Sequence, residues 1–460
     1  MPETAPQLAP RTAPADGCDT DVLVIGGGPA GTTVATLLAR KGWKVTLLEK
    51  ATHPRFHIGE SLLPMNMPIL ERLGVLEQVR AIGVLKLGAD FPIEGGHYNT
   101  FRFDRALGAS YGYAFHVKRE EFDQLLFKHA RSNGVDAREQ MQVEQVAFAD
   151  DGAITVQARA LAGSDAAAQV FRPRYLIDAS GRDAFLGRKL KLKRKNARHQ
   201  SAAVFSHFEG VERRSGDDAG NVSIFRHAHG WLWLIPLRDG VTSVGAVCTP
   251  EYLKSRQDEA EGRSNEAFLM RTLASVPEAQ ERVQGAIRVA PVHVTGNYAY
   301  ECTQMRGPGW LLLGDAYAFV DPMFSSGVYL GMNSAELGAD AVDAVLREPA
   351  REHAVLDELE RRLTRGLDEF KWFIYRFTSP TMKSLFARPR NVWQVEQAVI
   401  SMLAGDVFDN KVVLRKLRLF RVIYALTALC LAPTALHSWW RQRRERRASF
   451  AGDTLQADNP

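Results

Sequence analysis

The 460-residue sequence predicts an α/β fold with a helical C-terminal region, and three observations support this. A short apolar strand, a glycine-rich turn and a helix follow one another near the N-terminus, in the order of a parallel βαβ unit. Strand patterns continue to about residue 335, and the sequence beyond that point turns helical. A chain of this length is expected to form two or three subdomains rather than one core.

The βαβ unit near the N-terminus predicts a nucleotide site. In chain order it comprises a strand at Asp21–Ile25, the glycines Gly26, Gly28 and Gly31 of G-G-G-P-A-G, a helix at Thr32–Arg40, a strand at Val45–Leu48 and the acidic Glu49. The glycines permit a tight turn and the close approach of a pyrophosphate, whose charge suits the positive helix N-terminus. Glu49 stands where a carboxylate accepts hydrogen bonds from ribose hydroxyls. The alternative is a glycine turn that binds no nucleotide.

Composition and charge are those of an ordinary globular protein, with 45% hydrophobic and 24% charged residues. The net charge of +5 is too small to argue for nucleic-acid binding. The four cysteines stand far apart, which argues against a zinc site or a disulfide framework, so no metal is expected. This cysteine usage fits a reducing cytoplasm. Residues 1–18 lack the apolar core of a signal peptide and are expected to form a disordered lead-in.

Three further segments resemble the glutathione-reductase-type FAD enzymes. They are Tyr175–Arg182 (YLIDASGR), Leu311–Asp315 (LLLGD) with the following Ala316–Val328, and Arg119 in V-K-R-E-E-F-D. The resemblance implies FAD as cofactor, with Asp315 at the ribityl chain and the next helix N-terminus facing the isoalloxazine. It implies an α/β (α+β) fold, in which a Rossmann-like FAD-binding domain carries an inserted, mostly antiparallel substrate sheet. The residues then expected to bind FAD are Gly26, Gly28, Pro29, Ala30, Gly31, Glu49, Lys50, Gly59, Glu60, Ser61, Arg119, Asp178, Gly181, Asp315 and Gly327.

The hexapeptide W-L-W-L-I-P at Trp231–Pro236 places Trp231 and Trp233 on one face of a predicted strand, because strand side chains alternate. Two large aromatic rings on one face build a wall. The pattern W-x-W-x-I-P resembles that of the flavin-dependent halogenases, in which such a wall separates the flavin from the substrate. The alternative is ordinary packing of aromatic residues in a core.

Three more features resemble the same family. H-I-G-E-S-L-L-P at His57–Pro64 resembles a halogenase loop beside the flavin. The alternative is an ordinary turn before a helix, with Ser61 as the cap. Lys86, in L-K-L-G-A-D-F, matches the position of the catalytic lysine in this family. The alternative is a solvated surface charge, which a single lysine usually is. Ser326 and Gly327, in D-P-M-F-S-S-G-V, match the positions that bind halide, which amide groups at a helix N-terminus attract. An ordinary helix start is the alternative there.

The resemblance implies that reduced FAD (FADH2), O2 and chloride or bromide give hypohalous acid. This acid would cross an internal tunnel to Lys86, which directs the electrophilic halogen to an electron-rich ring and supplies the regiochemistry. A haloamine route would need Lys86 as the neutral amine, which burial favours. A separate flavin reductase would supply FADH2. The alternatives are an FAD-dependent aromatic hydroxylase, an FAD-dependent prenyl or polyene reductase, and a non-catalytic flavoprotein.

Phe324 indicates which substrates the resemblance favours. Tryptophan halogenases carry a glutamate at this position of P-M-F-S-S-G, so the sequence resembles the branch that acts on phenols, pyrroles and carrier-tethered acyl groups in secondary metabolism. The basic run K-L-K-L-K-R-K at Lys189–Lys195 could dock an acidic acyl carrier protein. A solvated surface segment is the alternative for this run.

The predicted domains are an FAD-binding domain at 19–345, with substrate-sheet insertions at about 86–118 and 199–300, and a helical region at 346–460. The apolar segment Leu419–Trp440 is interrupted by Arg421 and Pro433, and the basic tail 441–447 follows it. About 20 uninterrupted apolar residues would be needed to cross a membrane. The segment is therefore expected to pack on the catalytic domain or to contact a membrane peripherally.

Overall fold

The computed structural model describes residues 18–93, 95–108, 111–161, 168–196, 200–254, 264–296, 299–387, 389 and 391–431. The predictions for the lead-in before Cys18, for Pro433 and for the basic tail at 441–447 fall outside these residues.

The strands are β1 Thr20–Ile25, β2 Val45–Leu48, β3 Gly83–Lys86, β4 Gly88–Pro92, β5 Tyr98–Arg102, β6 Ala114–Val117, β7 Asp136–Arg138, β8 Met141–Phe148, β9 Ile154–Ala160, β10 Gln169–Phe171, β11 Pro173–Asp178, β12 Lys193–Lys195, β13 Ala202–Glu209, β14 Val222–His227, β15 Gly230–Pro236, β16 Val241–Cys248, β17 Ile287–Arg288, β18 His293–Gly296, β19 Tyr300–Cys302, β20 Arg306–Gly307, β21 Trp310–Leu312 and β22 Ala318–Phe319. The helices are α1 Pro29–Arg40, α2 Asn66–Leu73, α3 Leu76–Ile82, α4 Arg119–Ser132, α5 Phe185–Lys189, α6 Pro250–Lys254, α7 Asn265–Ala274, α8 Pro277–Val283, α9 Ser326–Arg347, α10 Glu352–Ile374, α11 Pro380–Ala387, α12 Val395–Ala404 and α13 at 411–431.

The nucleotide-binding half is a six-stranded sheet in the order β20-β21-β11-β1-β2-β7. The pairings from β21 to β7 are all parallel, and only β20 joins antiparallel. The two predicted strands of the βαβ unit are confirmed as β1 and β2. Helix α1 begins at Pro29, three residues before the predicted start, because a proline at the first helical position needs no partner for its nitrogen. Strand β21 ends at Leu312, and Gly314 then turns the chain at a φ of +55° into a 3₁₀ turn.

A second, larger sheet has eight strands, seven of them in the order β17-β13-β16-β15-β14-β4-β5, with β18 also paired to β13. Within it β13, β16, β15 and β14 pair antiparallel, and β14 meets β4 in parallel. One face, which includes Leu232 and Leu234, packs on α7 through Phe268 and Leu269. The opposite face presents both Trp231 and Trp233 to the main core, as strand alternation predicts.

The chain after α9 is helical as far as it is described, as the sequence predicts. Helix α13 packs on the domain through Leu417 and Phe420, and its Arg421 pairs with Glu369 of α10 at 2.7 Å. The opposite face of α13 exposes Leu426 and Leu429. Among the described residues, no helix combines the length and the apolar character needed to cross a membrane.

Candidate active site

A cavity of about 420 Å³ lies between the two sheets. Its lining brings together the glycine turn after β1, the end of β2, the loop before α2, the first turn of α4, the turn after β11, strands β14 and β15, and the segment from β21 to α9. Of the residues predicted to bind FAD, those that line it are Gly26, Gly28, Pro29, Ala30, Glu49, Lys50, Gly59, Glu60, Ser61, Arg119, Gly181, Asp315 and Gly327. Gly31 and Asp178 lie behind this lining.

The glycine turn has the shape that a pyrophosphate needs. Gly26 adopts a φ of +102°, and a Cβ on it would lie 2.5 Å from the carbonyl oxygen of Ala179. A Cβ on Gly31 would lie 1.9 Å from the carbonyl oxygen of Gly26, so α1 packs directly on the turn. Gly28 instead faces open space, with the Arg55 Nη2 at 3.7 Å as the nearest atom to a Cβ. The first turn of α1 carries no acidic residue that would repel a phosphate.

Glu49 lies at the end of β2, where the carboxylate accepts hydrogen bonds from the backbone N–H groups of Gly27 at 2.7 Å and Ala51 at 2.8 Å. These bonds fix the carboxylate in the cavity wall, and each oxygen keeps a second acceptor site for a ribose hydroxyl. The neighbouring Lys50 forms an ion pair with Asp183 on the opposite side of the cavity.

Arg119 begins α4 and is held by two groups. Its guanidinium forms paired bonds to the Asp123 carboxylate at 2.8 and 3.0 Å and donates to the carbonyl of Ile58 at 2.6 Å. Burial alone would raise the pKa of Asp123, but the charge and hydrogen bonds of Arg119 outweigh it and lower that pKa. Gly59 packs on this arginine, because a Cβ there would lie 2.9 Å from Nη1. These protein contacts hold Arg119 in the cavity wall.

The two aspartates assigned to FAD differ in position. Asp315 lines the cavity, and burial raises its pKa to about 6 against the opposing charges of Arg182 and Arg119. Asp178 is fully buried, and its oxygens accept from the backbone N–H groups of Ser180 at 2.9 Å and Leu186 at 2.7 Å. Asp178 thus shapes the turn after β11 rather than facing the cavity.

The G-E-S loop connects the cavity to other parts of the protein. Glu60 is buried and forms a 2.6 Å bond to His207 of β13 in the large sheet. Ser61 lines the cavity, and its Oγ accepts a hydrogen bond from the Lys86 Nζ at 2.9 Å. The hydroxyl of Ser61 therefore lies between the cavity and the predicted catalytic lysine.

Lys86 ends β3 and is only 1% exposed, so it is not the surface charge that a single lysine usually is. The Nζ also donates to the carbonyl of Leu62 at 3.0 Å and lies 5.2 Å from the centre of the Phe103 ring. Burial lowers the pKa of Lys86 to about 7. Burial, followed by the charge of Lys86, keeps the pKa of the neighbouring His116 well below its usual value. The amine thus has a substantial neutral fraction near neutral pH.

Trp231 and Trp233 both line the cavity, with ring centres 5.6 Å apart. The indole nitrogen of Trp233 donates to Ser243 on the adjacent β16 at 3.1 Å. Gly245 on β16 makes room for that indole, since a Cβ there would lie 2.2 Å from the ring. The Trp233 ring is therefore fixed in place, and the Trp231 ring packs beside it.

The predicted halide turn precedes α9. Ser325 adopts a φ of +56° and acts as the N-cap, and α9 begins at Ser326. Ser325 and Gly327 line the cavity, whereas the Ser326 side chain is buried behind it. The N-terminus of α9 thus faces the same cavity as the tryptophans, which suits an anion.

Several residues in the cavity wall were not predicted from the sequence. His57 carries a signal, because it stands two residues before the G-E-S motif. Burial, assisted by the charge of Arg119, lowers the pKa of His57 to about 4, so this imidazole is neutral. Asp123 lies behind the wall and holds Arg119, and it could have been inferred from its position four residues after Arg119 on one helix. Arg55 and Phe319 stand in no pattern that would have selected them.

The chain matches the family model described as the FAD binding domain over residues 19–366. It is therefore a flavoprotein with FAD as its cofactor, and the glycine turn and the open approach over Gly28 fit that cofactor. It is also 30% identical over 408 residues to the flavin-dependent halogenase gsfI of Penicillium aethiopicum, a match that covers 85% of this chain and 74% of that protein. The chain belongs to the flavin-dependent halogenases, a family of oxidoreductases.

Other relatives are named for different substrates. The tryptophan 2-halogenase of Chondromyces crocatus is 37% identical over 329 residues, which are 71% of this chain and 62% of that protein. A 1H-pyrrole-2-carbonyl peptidyl-carrier-protein chlorinase of Pseudomonas fluorescens is 29% identical over 417 residues, which are 85% of this chain and 90% of that protein. The solved structure of the myxobacterial chondrochloren halogenase CndH superimposes with a TM-score of 0.72 at 32% identity, covering 85% of this chain and 91% of that one.

Proposed function

We propose that this chain halogenates an electron-rich aromatic ring, phenolic or pyrrolic, and that Lys86 delivers the electrophilic halogen. The observation that carries the proposal is the position of Lys86, a buried amine that is one hydrogen bond from Ser61 in the wall of the flavin cavity. Flavin chemistry with halide would supply the hypohalous acid, near Ser326 and Gly327. The neutral fraction of Lys86 supplies a lone pair for the halogen, and the protonated fraction can donate a hydrogen bond to hypohalous acid.

The hydroxylase alternative has less support, because such an enzyme brings the ring directly to the flavin. Trp231 and Trp233 occupy the cavity wall, and Gly245 and Ser243 hold the Trp233 ring. A ring that remains outside this wall would need a diffusible oxidised halogen, which Lys86 can intercept.

The proposed activity is tested with reduced FAD, O2, bromide or chloride and a phenol as acceptor, with a separate flavin reductase as the source of reduced FAD. We expect a halogenated phenol whose yield depends on halide, detected by mass spectrometry. The exposed Lys128 provides a matched control, because Lys128→Ala should retain full activity. Oxygenated product that forms equally well without halide would select the hydroxylase instead.

We also propose that the ring can be tethered to an acyl carrier protein that docks on the basic run 189–195. Lys189, Lys191 and Lys195 are exposed, whereas Lys193 donates to the Arg182 carbonyl at 2.8 Å and lies 3.6 Å over the Tyr300 ring. Lys193 therefore supports the cavity wall and is a poor position for testing docking. The pyrrole-carbonyl chlorinase, which is named for a carrier-bound substrate, supports this proposal.

The docking test reverses two exposed charges, in the double variant with Lys189→Glu and Lys195→Glu. At low salt we expect KM for a carrier-bound substrate to rise about tenfold, since removal of complementary charge slows association, while turnover of a free phenol is unchanged. The charge-matched control is the double variant with Lys44→Glu and Lys128→Glu, which reverses two exposed lysines outside the run. An unchanged KM for the carrier-bound substrate would remove the docking proposal.

An indole is the second candidate ring, because the relative named tryptophan 2-halogenase is 37% identical. Phe324 argues for the phenol or pyrrole. It is buried against Phe377 with ring centres 5.4 Å apart, so no carboxylate stands at this position to stabilise a cationic indole.

A further inference from the structure

Arg226 lies on β14, two residues after Ile224 and on the same face of the large sheet. It is the register partner of Trp231 on β15. Ile224 and Trp231 both line the flavin cavity, whereas Arg226 does not. Arg226 thus extends the tryptophan face of the sheet beyond the flavin cavity.

The guanidinium of Arg226 has no counter-charge among the described residues. Its carbon lies 4.1 Å from the centre of the Phe377 ring and 5.9 Å from that of Phe386. Nε and Nη2 are shielded from solvent and have no hydrogen-bond partner in the described part of the chain. Burial lowers the pKa of Arg226 to about 10, which leaves it cationic at neutral pH.

The loop after β13 of the same sheet contains a contrasting arginine. Arg214 lies 4.0 Å from the centre of the Tyr98 ring, and it also pairs with Asp90 at 3.3 Å and Asp218 at 3.5 Å. A shielded guanidinium is costly without a partner, so such groups are normally paired. Arg226 lacks the carboxylate that Arg214 has, and a ligand could supply it.

The surroundings of Arg226 are a cluster of buried phenylalanine rings. Phe377 contacts Phe91 and Phe386, each with ring centres 5.7 Å apart, and Phe324 at 5.4 Å. Phe324 precedes the proposed halide turn by two residues, and Phe91 lies on β4, five residues after Lys86. The cluster therefore joins the segments that carry the halide turn and the catalytic lysine.

We propose that Arg226 binds the carboxylate of an aromatic acid substrate and thereby fixes its ring among these phenylalanines. The proposal rests on the proposed function and deepens its case of an untethered ring by naming a free arylcarboxylate as the substrate class. A guanidinium presents two parallel N–H groups that match a carboxylate, and Nε with Nη2 is such a pair. Arg226 is then a specificity-determining residue that takes no part in the halogen transfer.

The test compares two acids with their neutral isosteric amides: 4-hydroxybenzoate against 4-hydroxybenzamide, and pyrrole-2-carboxylate against its amide. Binding to the FAD-loaded protein is measured by calorimetry without reductant or halide, so failure of halogenation does not affect this result. We expect at least one acid to bind about tenfold or more tightly than its amide. Arg226→Gln should abolish that preference, and Arg226→Lys should retain part of it. In turnover, Arg226→Gln should raise KM far more than it lowers kcat.

Arg347→Gln is the control, since Arg347 also stacks on an aromatic ring, that of Trp43, but has a carboxylate partner in Asp343. It should leave the acid preference unchanged, and FAD absorbance should show that each variant is folded. Equal binding of acid and amide by the wild type, or no binding of either acid, would overturn the proposal. The proposal would also be overturned if the preference for the acid survived in Arg226→Gln. Tight binding of only the neutral carrier thioester of 4-hydroxybenzoate would overturn it as well.

Discussion

Replacing Lys86 by methionine is expected to reduce halogenation of a phenol by at least about 10²-fold, while oxidation of reduced FAD continues. The substitution removes the amine that accepts or directs the halogen but preserves the volume of a side chain that is only 1% exposed. Free hypohalous acid should still form and should be trapped by monochlorodimedone. The measurement is the ratio of halogenated phenol to reduced FAD consumed, with Lys128→Ala as control.

The same residue predicts a pH dependence, because burial lowers its pKa to about 7. If the neutral amine is the reactive form, halogenation should rise between about pH 6 and pH 8.

The stability of the folded protein should also depend on pH through Lys86. Between pH 7 and about 10.5 the unfolded chain holds a proton on Lys86 that the folded chain lacks, so the free energy of unfolding contributed by this group rises with pH. The full rise is at most about 5 kcal/mol, and Lys86→Met should lack it.

Retention of regioselective halogenation in Lys86→Met would contradict the proposed role of the lysine. Loss of flavin oxidation together with halogenation would instead indicate damage to the Ser61 side of the cavity.

Two alanine substitutions in the glycine turn should both impair FAD binding, but for different reasons. Gly31→Ala places a Cβ 1.9 Å from a backbone oxygen, so α1 must move. We expect a loss of about 3 kcal/mol or more in unfolding free energy, with FAD affinity lowered about 100-fold or more. Gly28→Ala places a methyl group in open space at the helix N-terminus. Only the cofactor should meet it there.

For Gly28→Ala we therefore expect apoprotein stability within about 1 kcal/mol of the wild type, with FAD affinity at least about tenfold lower. Denaturant titration of the apoprotein and fluorescence titration with FAD measure the two quantities. A destabilised Gly28→Ala apoprotein, or unchanged FAD affinity in both variants, would contradict this assignment of the turn.

The sequence was most informative where the backbone itself carries the signal. Gly26 and Gly31 could be predicted because only glycine fits their close contacts, and Trp231 and Trp233 because strand alternation fixes their common face. Asp178 was assigned to the cofactor, but it accepts two backbone hydrogen bonds and faces inward. Its motif marks a turn, and a sequence cannot show on which side of a turn a carboxylate lies.

Positions that depend on distant contacts could not be predicted. The burial of Lys86 results from packing between the G-E-S loop and Phe103, and nothing in L-K-L-G-A-D-F shows it. The lack of a counter-charge for Arg226 among the described residues likewise depends on which side chains the fold brings near, and these include Phe377 after α10 and Phe386 of α11.

The three consecutive residues Gly59, Glu60 and Ser61 support three different parts of the enzyme. Gly59 packs on Arg119, Glu60 holds His207 of the large sheet, and Ser61 holds Lys86. Displacement of this tripeptide would therefore shift cofactor, sheet and amine together. Effects of substitutions here and at Lys86 should be strongly non-additive, so a single variant of the loop cannot be assigned to one catalytic step. Substitutions in the phenylalanine cluster around Phe377 would leave these three contacts intact. A new substrate preference is therefore expected to evolve there rather than in the G-E-S loop.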